Sequence, residues 1–103
     1  MALGKPVIVT NYSGNTDFTL PDNSFLVNYK LVPVQPGQYV FGDGQAWAEP
    51  DVDHAAQHMR TVHEDRAEAE RIGRRGQAHV RAALSAREVG SLMTRRLSEL
   101  GLI

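Results

Sequence analysis

A short polar turn, Ser13-Gly14-Asn15 followed by Asp17, carries the residue types best suited to ligand chemistry. It follows an apolar run and precedes a short helical segment. A strand leading through such a turn into a helix N-terminus exposes backbone N–H groups and partial positive charge, which suit a phosphate or a sugar hydroxyl. Ser13 and Asn15 add side-chain donors, and Asp17 can accept from hydroxyls. The alternative is purely structural: a tight turn that needs Gly14 in a left-handed conformation.

Two histidines, His54 and His58, stand four residues apart in a helical stretch. Side chains at this spacing share one helix face and can bind one metal ion. Both positions flank the apolar stripe of that helix, so we expect solvent-facing histidines and no metal site. No pattern in the chain predicts a catalytic group or a bound cofactor.

The first fifty residues have the pattern of strands and turns. Val7–Thr10 is a short β-branched run, typical of a strand buried on both faces, and Phe25–Tyr29 is a second strand candidate. Thr16–Leu20, between them, is long enough only for a short helix. Gly4 follows three good helix formers and Pro6 bars a helix from continuing, so we expect a helix end with Gly4 in a left-handed conformation. The two strands should form a small parallel sheet.

Residues 30–50 contain three prolines and three glycines, which interrupt any strand pattern. We expect an irregular loop with one edge strand at most. Trp47 should hold this loop to the body of the domain, because its large side chain has much apolar surface to bury.

Three helices are predicted after residue 50, because capping residues precede three stretches of helical periodicity. We expect Gly101 to end the third helix. The expected N-caps are Asp51, Asp65 (with Glu68) and Ser85 (with Glu88). The expected apolar faces are Val52, Ala55, Ala56, Met59 and Val62; then Ala69, Ile72, Gly76, Val80, Ala83 and Leu84; then Val89, Leu92, Met93, Leu97 and Leu100.

Composition places the chain among ordinary globular proteins. It has 103 residues, 42% of them hydrophobic and 22% charged, which suits one small domain. There is no cysteine, which excludes disulfides and thiolate chemistry and fits a cytoplasmic location. No apolar run reaches the roughly 18 residues of a membrane span, so we expect no stable membrane insertion.

Charge is distributed unevenly along the chain. Residues 1–65 hold three basic and eight acidic residues, whereas residues 66–103 hold eight arginines and four glutamates. The basic half could face phosphates, anionic lipid or nucleic acid. Because glutamates are interleaved with the arginines, we expect a solvated helix surface and no nucleic-acid partner.

Several motifs together resemble one enzyme family. They are the opening segment Met1–Val7, Ser13-Gly14 with Asp17 three residues later, the WAEPD stretch Trp47–Asp51, and the RIGRRGQ stretch Arg71–Gln77. The chain resembles the C-terminal, nucleotide-sugar-binding domain of retaining family 4 glycosyltransferases, which have the GT-B fold, and a bacterial subgroup in particular. Ser13 stands where the family has a first glycine, and Asp17 where it has a glutamate.

The resemblance implies that the chain is the last part of such a domain. The family's pair of donor-binding glutamates would lie before Met1, and the acceptor-binding domain and the cationic residues that neutralise the diphosphate are also missing. The implied parent activity is transfer of a hexose from a nucleoside-diphosphate sugar to a hydroxyl acceptor. Ser13, Gly14, Asn15 and Asp17 would lie nearest the donor, and this chain alone should be inactive.

We therefore expect a single α/β domain over residues 1–103, partly Rossmann-like, with a small parallel sheet and three C-terminal helices. Residues 1–50 form the strand, turn and loop part, and residues 51–103 the helical part. The alternative function is a non-catalytic interaction or assembly module of glycosyltransferase ancestry. A sheet left with unpaired edges and uncovered apolar faces should also associate, so we expect a homo-oligomer formed near the N-terminal strand.

Overall fold

A computed structural model describes all 103 residues and shows a mixed α/β chain. Four short strands and one 3₁₀ helix fall within the first fifty residues, and three α-helices follow. The elements are β1 (Ile8–Thr10), a 3₁₀ helix (Ser13–Asp17), β2 (Phe25–Val27), β3 (Tyr29–Pro33), β4 (Ala46–Pro50), α1 (Val52–Glu64), α2 (Arg66–Ala83) and α3 (Ala86–Glu99). None of the helices has both the length and the apolar character that crossing a membrane requires.

The first two strands, β1 and β2, pair in parallel, with Val9 opposite Leu26. The predicted small parallel sheet and C-terminal helices are therefore confirmed. Two details differ from expectation. β1 is half-buried along its length rather than buried on both faces, because the sheet has only two strands. The second strand ends at Val27, since the chain turns at Asn28 and enters a different sheet.

Residues 30–50 were expected to form an irregular loop with one edge strand at most, and this prediction is wrong at the two ends, where β3 and β4 are both strands. β3 and β4 form an antiparallel hairpin in which Val32 lies opposite Trp47. Proline is tolerated because both strands are edges, and Pro33 and Pro50 each stand at a strand end. The two residues next to β3 and β4 continue the pairing, as Val34 N–H donates to the Gln45 carbonyl at 2.9 Å.

The helix boundaries follow the predicted local signals. Asp51, Asp65 and Ser85 each accept a hydrogen bond from the backbone N–H three residues later. Gly101 has φ +69° and ends α3, with its N–H bonded to the Ser98 carbonyl and the next N–H to the Leu97 carbonyl. This paired arrangement is a Schellman motif. Gly4, at φ +72°, also adopts the expected left-handed conformation.

A glycine face of α2 lies directly against the backbone of the N-terminal turn. A Cβ added to Gly73 would overlap the carbonyl oxygen of Gly4, and one added to Gly76 would lie 2.8 Å from Cε of Met1 and 3.0 Å from the Asn23 carbonyl oxygen. Ala69 and Ile72 on the same face are buried. Because the two glycines have no side chains, α2 packs closer to this backbone than residues with a Cβ would permit.

The molecule is a thin plate, 49 × 44 × 16 Å, with a radius of gyration of 17.7 Å. A compact domain of about 100 residues has a radius near 13 Å, so much apolar surface stays in water. Ten residues are buried, and Phe25, Val27, Ala69 and Ile72 are the hydrophobic ones. Several positions expected to face a core are instead exposed: Val52 and Met59 of α1, and Leu92, Met93, Leu97 and Leu100 along α3.

The arginine-rich half is partly neutralised within its own helices, as the interleaved glutamates indicated. Glu68 pairs with Arg71, Glu70 with Arg74 and Arg96 with Glu99, all at a spacing of three or four residues. These groups are exposed, so each pair adds little stability.

The glycine contact of α2 leads to a matched pair of variants. We expect Gly73→Ala to lower the free energy of unfolding by about 1–3 kcal/mol, because the added methyl group meets a backbone carbonyl that cannot move aside. Gly90→Ala, in α3, has open space around it and should raise stability by up to about 1 kcal/mol through helix propensity. Urea denaturation measures both. Equal effects of the two variants would contradict the close approach.

The Glu68–Arg71 pair gives a prediction about protonation. Two hydrogen bonds from Arg71 to Glu68, at 2.7 and 2.5 Å, hold the pKa of the Glu68 carboxyl below its ordinary value of 4.5. Carbon NMR titration should show this lowered pKa, and Arg71→Met should return it upward. A Glu68 titration curve unaffected by Arg71→Met would show that the pair does not form in solution.

Candidate functional site

The polar turn after β1 lies at the carboxyl edge of the two parallel strands, where ligands of open α/β sheets bind. Tyr12 N–H closes the turn by donating to the Thr10 carbonyl at 2.8 Å. Ser13, at φ 66°, occupies the left-handed region, and the 3₁₀ helix starts with it. The expectation that Gly14 takes this conformation is wrong. Its φ is not positive, and nothing lies within 4 Å of a Cβ placed there.

Asn15 fixes the turn from inside. Its Nδ2 group donates to the Thr10 carbonyl at 2.9 Å and to Oγ1 of Thr19 at 3.2 Å. The Asn15 carbonyl in turn accepts from Oγ1 of Thr19 at 2.7 Å. Both amide hydrogens are therefore engaged within the protein, which leaves Ser13, Gly14 and the exposed Asp17 as the groups of the turn that face solvent.

An aromatic pair beside the turn is a feature that sequence analysis missed. Tyr12 and Tyr29 lie with ring centroids 4.9 Å apart and planes tilted by 54°, and each remains partly exposed. The signal was present in the sequence, because the same dipeptide, Asn-Tyr, follows β1 and β2. Parallel strands in register bring equivalent positions after their ends to the same edge. The edge thus combines a polar turn with two aromatic rings.

The two histidines hold α1 against the same edge, contrary to the expected solvent-facing placement. The Asn28 N–H donates to Nδ1 of His54 at 3.1 Å, and Nε2 of His58 lies 2.9 Å from the Leu26 carbonyl. We assign the proton of His58 to Nε2 because a carbonyl can only accept. The two rings pack together at 4.3 Å, and Phe25 lies against His58 at 5.5 Å.

These contacts define what the histidines do. One ring nitrogen of each is committed to the backbone beside β2, so the pair fastens helix to strand. No group of three or more metal-ligating side chains occurs in the chain. The carboxyl edge offers groups that suit binding: N–H and hydroxyl donors from the turn, a carboxylate acceptor from Asp17, and two ring faces.

Comparison with protein-family models, with curated proteins and with solved structures returned no match to this chain. The geometry of the site therefore carries the functional argument.

The left-handed residue of the turn gives a direct test of its geometry. A β-branched side chain is strained at positive φ, so Ser13→Val should lower the free energy of unfolding by about 1–2 kcal/mol. Gly14→Val is the control, and with open space around it the change should stay within roughly 0.5 kcal/mol. Thermal melts of both proteins measure this. A larger loss from Gly14→Val than from Ser13→Val would contradict the turn described here.

Proposed function

We propose that this chain supplies part of the donor-binding surface of a glycosyltransferase that transfers a hexose from a nucleoside-diphosphate sugar to a hydroxyl acceptor. The observation that carries the proposal is the position of the Ser13–Asp17 turn at the carboxyl edge of two parallel strands. The resemblance of the opening segment and of this turn to family 4 glycosyltransferases supports the same function. The finer fold assignment, a Rossmann-like GT-B domain, belongs to this proposal.

Each group of the turn has a role in this proposal. The first N–H groups of the 3₁₀ helix, at Ser13 and Gly14, have no partner within the helix and would donate to the diphosphate. The exposed carboxylate of Asp17 would accept from sugar hydroxyls. Asn15 would act by fixing the turn, since its amide is engaged with Thr10 and Thr19. Tyr12 offers a ring face for stacking.

Catalysis in this class of reaction depends on electrostatic stabilisation of the departing diphosphate. Residues 12–17 contain no lysine or arginine, so the donors that the turn itself offers to a diphosphate are neutral. We infer that the isolated chain binds the donor weakly and transfers no sugar.

A non-catalytic assembly module is the second candidate function, and the thin shape of the molecule favours it. A plate 16 Å thick leaves large hydrophobic side chains of the hairpin, α1 and α3 in water. Exposed apolar surface on this scale is typical of proteins that bind another protein surface. Both functions can belong to one chain, and ligand titration separates them.

Titration with UDP-glucose and GDP-mannose, followed by amide NMR, tests donor binding. We expect millimolar affinity, about 4 kcal/mol of binding free energy, with shifts centred on residues 12–17. Gly14→Glu should abolish the shifts by placing a carboxylate where the diphosphate binds. Gly14→Gln is the matched control and should keep them, because a side chain at this position meets open space.

Other outcomes of the titration are informative. Micromolar affinity would overturn the inference of weak binding, and measurable sugar transfer would overturn the inference that the isolated chain is inactive. An absence of shifts at millimolar donor, or equal shifts in the Gly14→Glu protein, would overturn donor binding at this turn and leave the assembly module as the better function.

A further inference from the structure

The tip of the β3–β4 hairpin is an apolar projection whose side chains remain largely in water. Three consecutive large side chains form it, Tyr39, Val40 and Phe41, which we call the hairpin tip. Phe41 is 95% exposed and Val40 74%. Phe41 also has φ 57°, a left-handed conformation that is a genuine outlier for a bulky residue. Strain that holds an aromatic ring in water gives no benefit to folding and points to a binding role.

The loop that carries the hairpin tip has a backbone fixed by hydrogen bonds and packing. Gly42 N–H donates to the Tyr39 carbonyl at 3.2 Å, and Gln45 N–H donates to the Gly42 carbonyl at 3.0 Å. Gly42 is buried, and a Cβ there would lie 2.7 Å from Cγ1 of Val34. These contacts fix the backbone behind the tip, so its side chains project from a defined turn.

An apolar groove lies elsewhere on the same molecule, between β1, the 3₁₀ helix and the end of α2. Its volume is about 390 Å³, which is sufficient for an aromatic side chain and an aliphatic neighbour. We call it the apolar groove, and its main lining residues are Met1, Val7, Val9, Phe18, Val80 and Leu84.

The charged groups beside the hairpin tip and beside the apolar groove are opposite in sign. Residues 34–45, the loop that joins β3 to β4 and carries the hairpin tip, contain one charged residue, Asp43. Asp43 makes no ion pair within the chain. Lys5 and Arg81 are exposed, stand next to groove-lining segments and are also unpaired. An apolar projection with one carboxylate thus matches an apolar recess flanked by two cations. A loop without any basic residue has no electrostatic attraction to anionic lipid.

We propose that the hairpin tip docks in the apolar groove of a second copy of this chain, and that two such contacts related by a twofold axis close a dimer. The exposed side chains of one tip present mostly apolar surface. A twofold dimer makes this contact twice, so the apolar surface that it removes from water is double that of one tip in one groove. This interface does not depend on donor binding.

Sedimentation equilibrium at micromolar concentration tests the dimer with two matched variants. Val40 and Val52 have the same exposed fraction, 74%, but only Val40 belongs to the tip. Val40→Asp should weaken the dimer by roughly tenfold or more, whereas Val52→Asp should leave it unchanged. A monomeric wild-type protein would overturn the proposal. So would a dimer weakened equally by both variants, or by neither.

Cross-linking locates the contact, because a chain without cysteine allows clean placement of single thiols. Val40 belongs to the hairpin tip, and Ala2 lines the apolar groove. The Val40→Cys and Ala2→Cys proteins are purified separately, mixed and oxidised. We expect the mixed disulfide to form in preference to either symmetric one, and only this pairing reports the tip in the groove of another copy. Preferential formation of either symmetric disulfide would overturn the docking mode. If the monomeric protein binds phosphatidylcholine vesicles and the Val40→Asp protein does not, the hairpin tip binds lipid and the dimer proposal is overturned.

Discussion

The close approach of α2 to the N-terminal turn is the contact on which the rest of the structure depends. Gly73 and Gly76 bring the helix onto the backbone of Gly4 and Asn23 with no intervening side chain. β1 begins a few residues after Gly4, and β2 begins just after Asn23, so this helix face fixes the segments that lead into the two parallel strands, which themselves pack against α1. Because only ten residues are buried, little else in the molecule could replace this contact.

Two further sets of contacts position the carboxyl edge of the parallel strands. His54 and His58 fasten α1 to the backbone around β2, and Asn15 ties the polar turn to the end of β1. Asn15, His54 and His58, three of the side chains that the sequence offered for chemistry, therefore build the edge. The groups left exposed there are Ser13, Gly14 and Asp17, together with the two tyrosine rings.

The thin shape links the two proposed roles. In so thin a molecule the helices cover little of the two sheets, so many apolar side chains stay in water. These side chains are not spread evenly. They are concentrated at the hairpin tip, in the apolar groove and along α3. The polar turn lies beside the groove, since Asn15 of the turn and Phe18, the residue after it, both line the groove. Occupation of the groove by a second copy would therefore place a partner close to the proposed donor site.

The sequence by itself determined the features that depend on a few neighbouring residues. The capping side chains of Asp51 and Ser85, and the left-handed glycines at Gly4 and Gly101, were predicted and found, because each acts on backbone groups within about five positions. A continuous apolar, β-branched run likewise indicated a strand of the parallel pair. Donor binding and self-association stay predictions, since no contact within the chain bears on them.

Only the tertiary structure decided which residue of the turn is strained, where the histidines point and how the proline-rich segment folds. Ser13 rather than Gly14 takes the positive φ, in a turn that Asn15 fixes to the end of β1. His54 and His58 turn inward because unpaired backbone groups beside β2 need partners. The hairpin forms because each strand pairs with the other across thirteen to twenty-one residues of sequence. The last two outcomes are set by hydrogen-bond partners distant in the chain, and a local pattern of residue types does not contain that information.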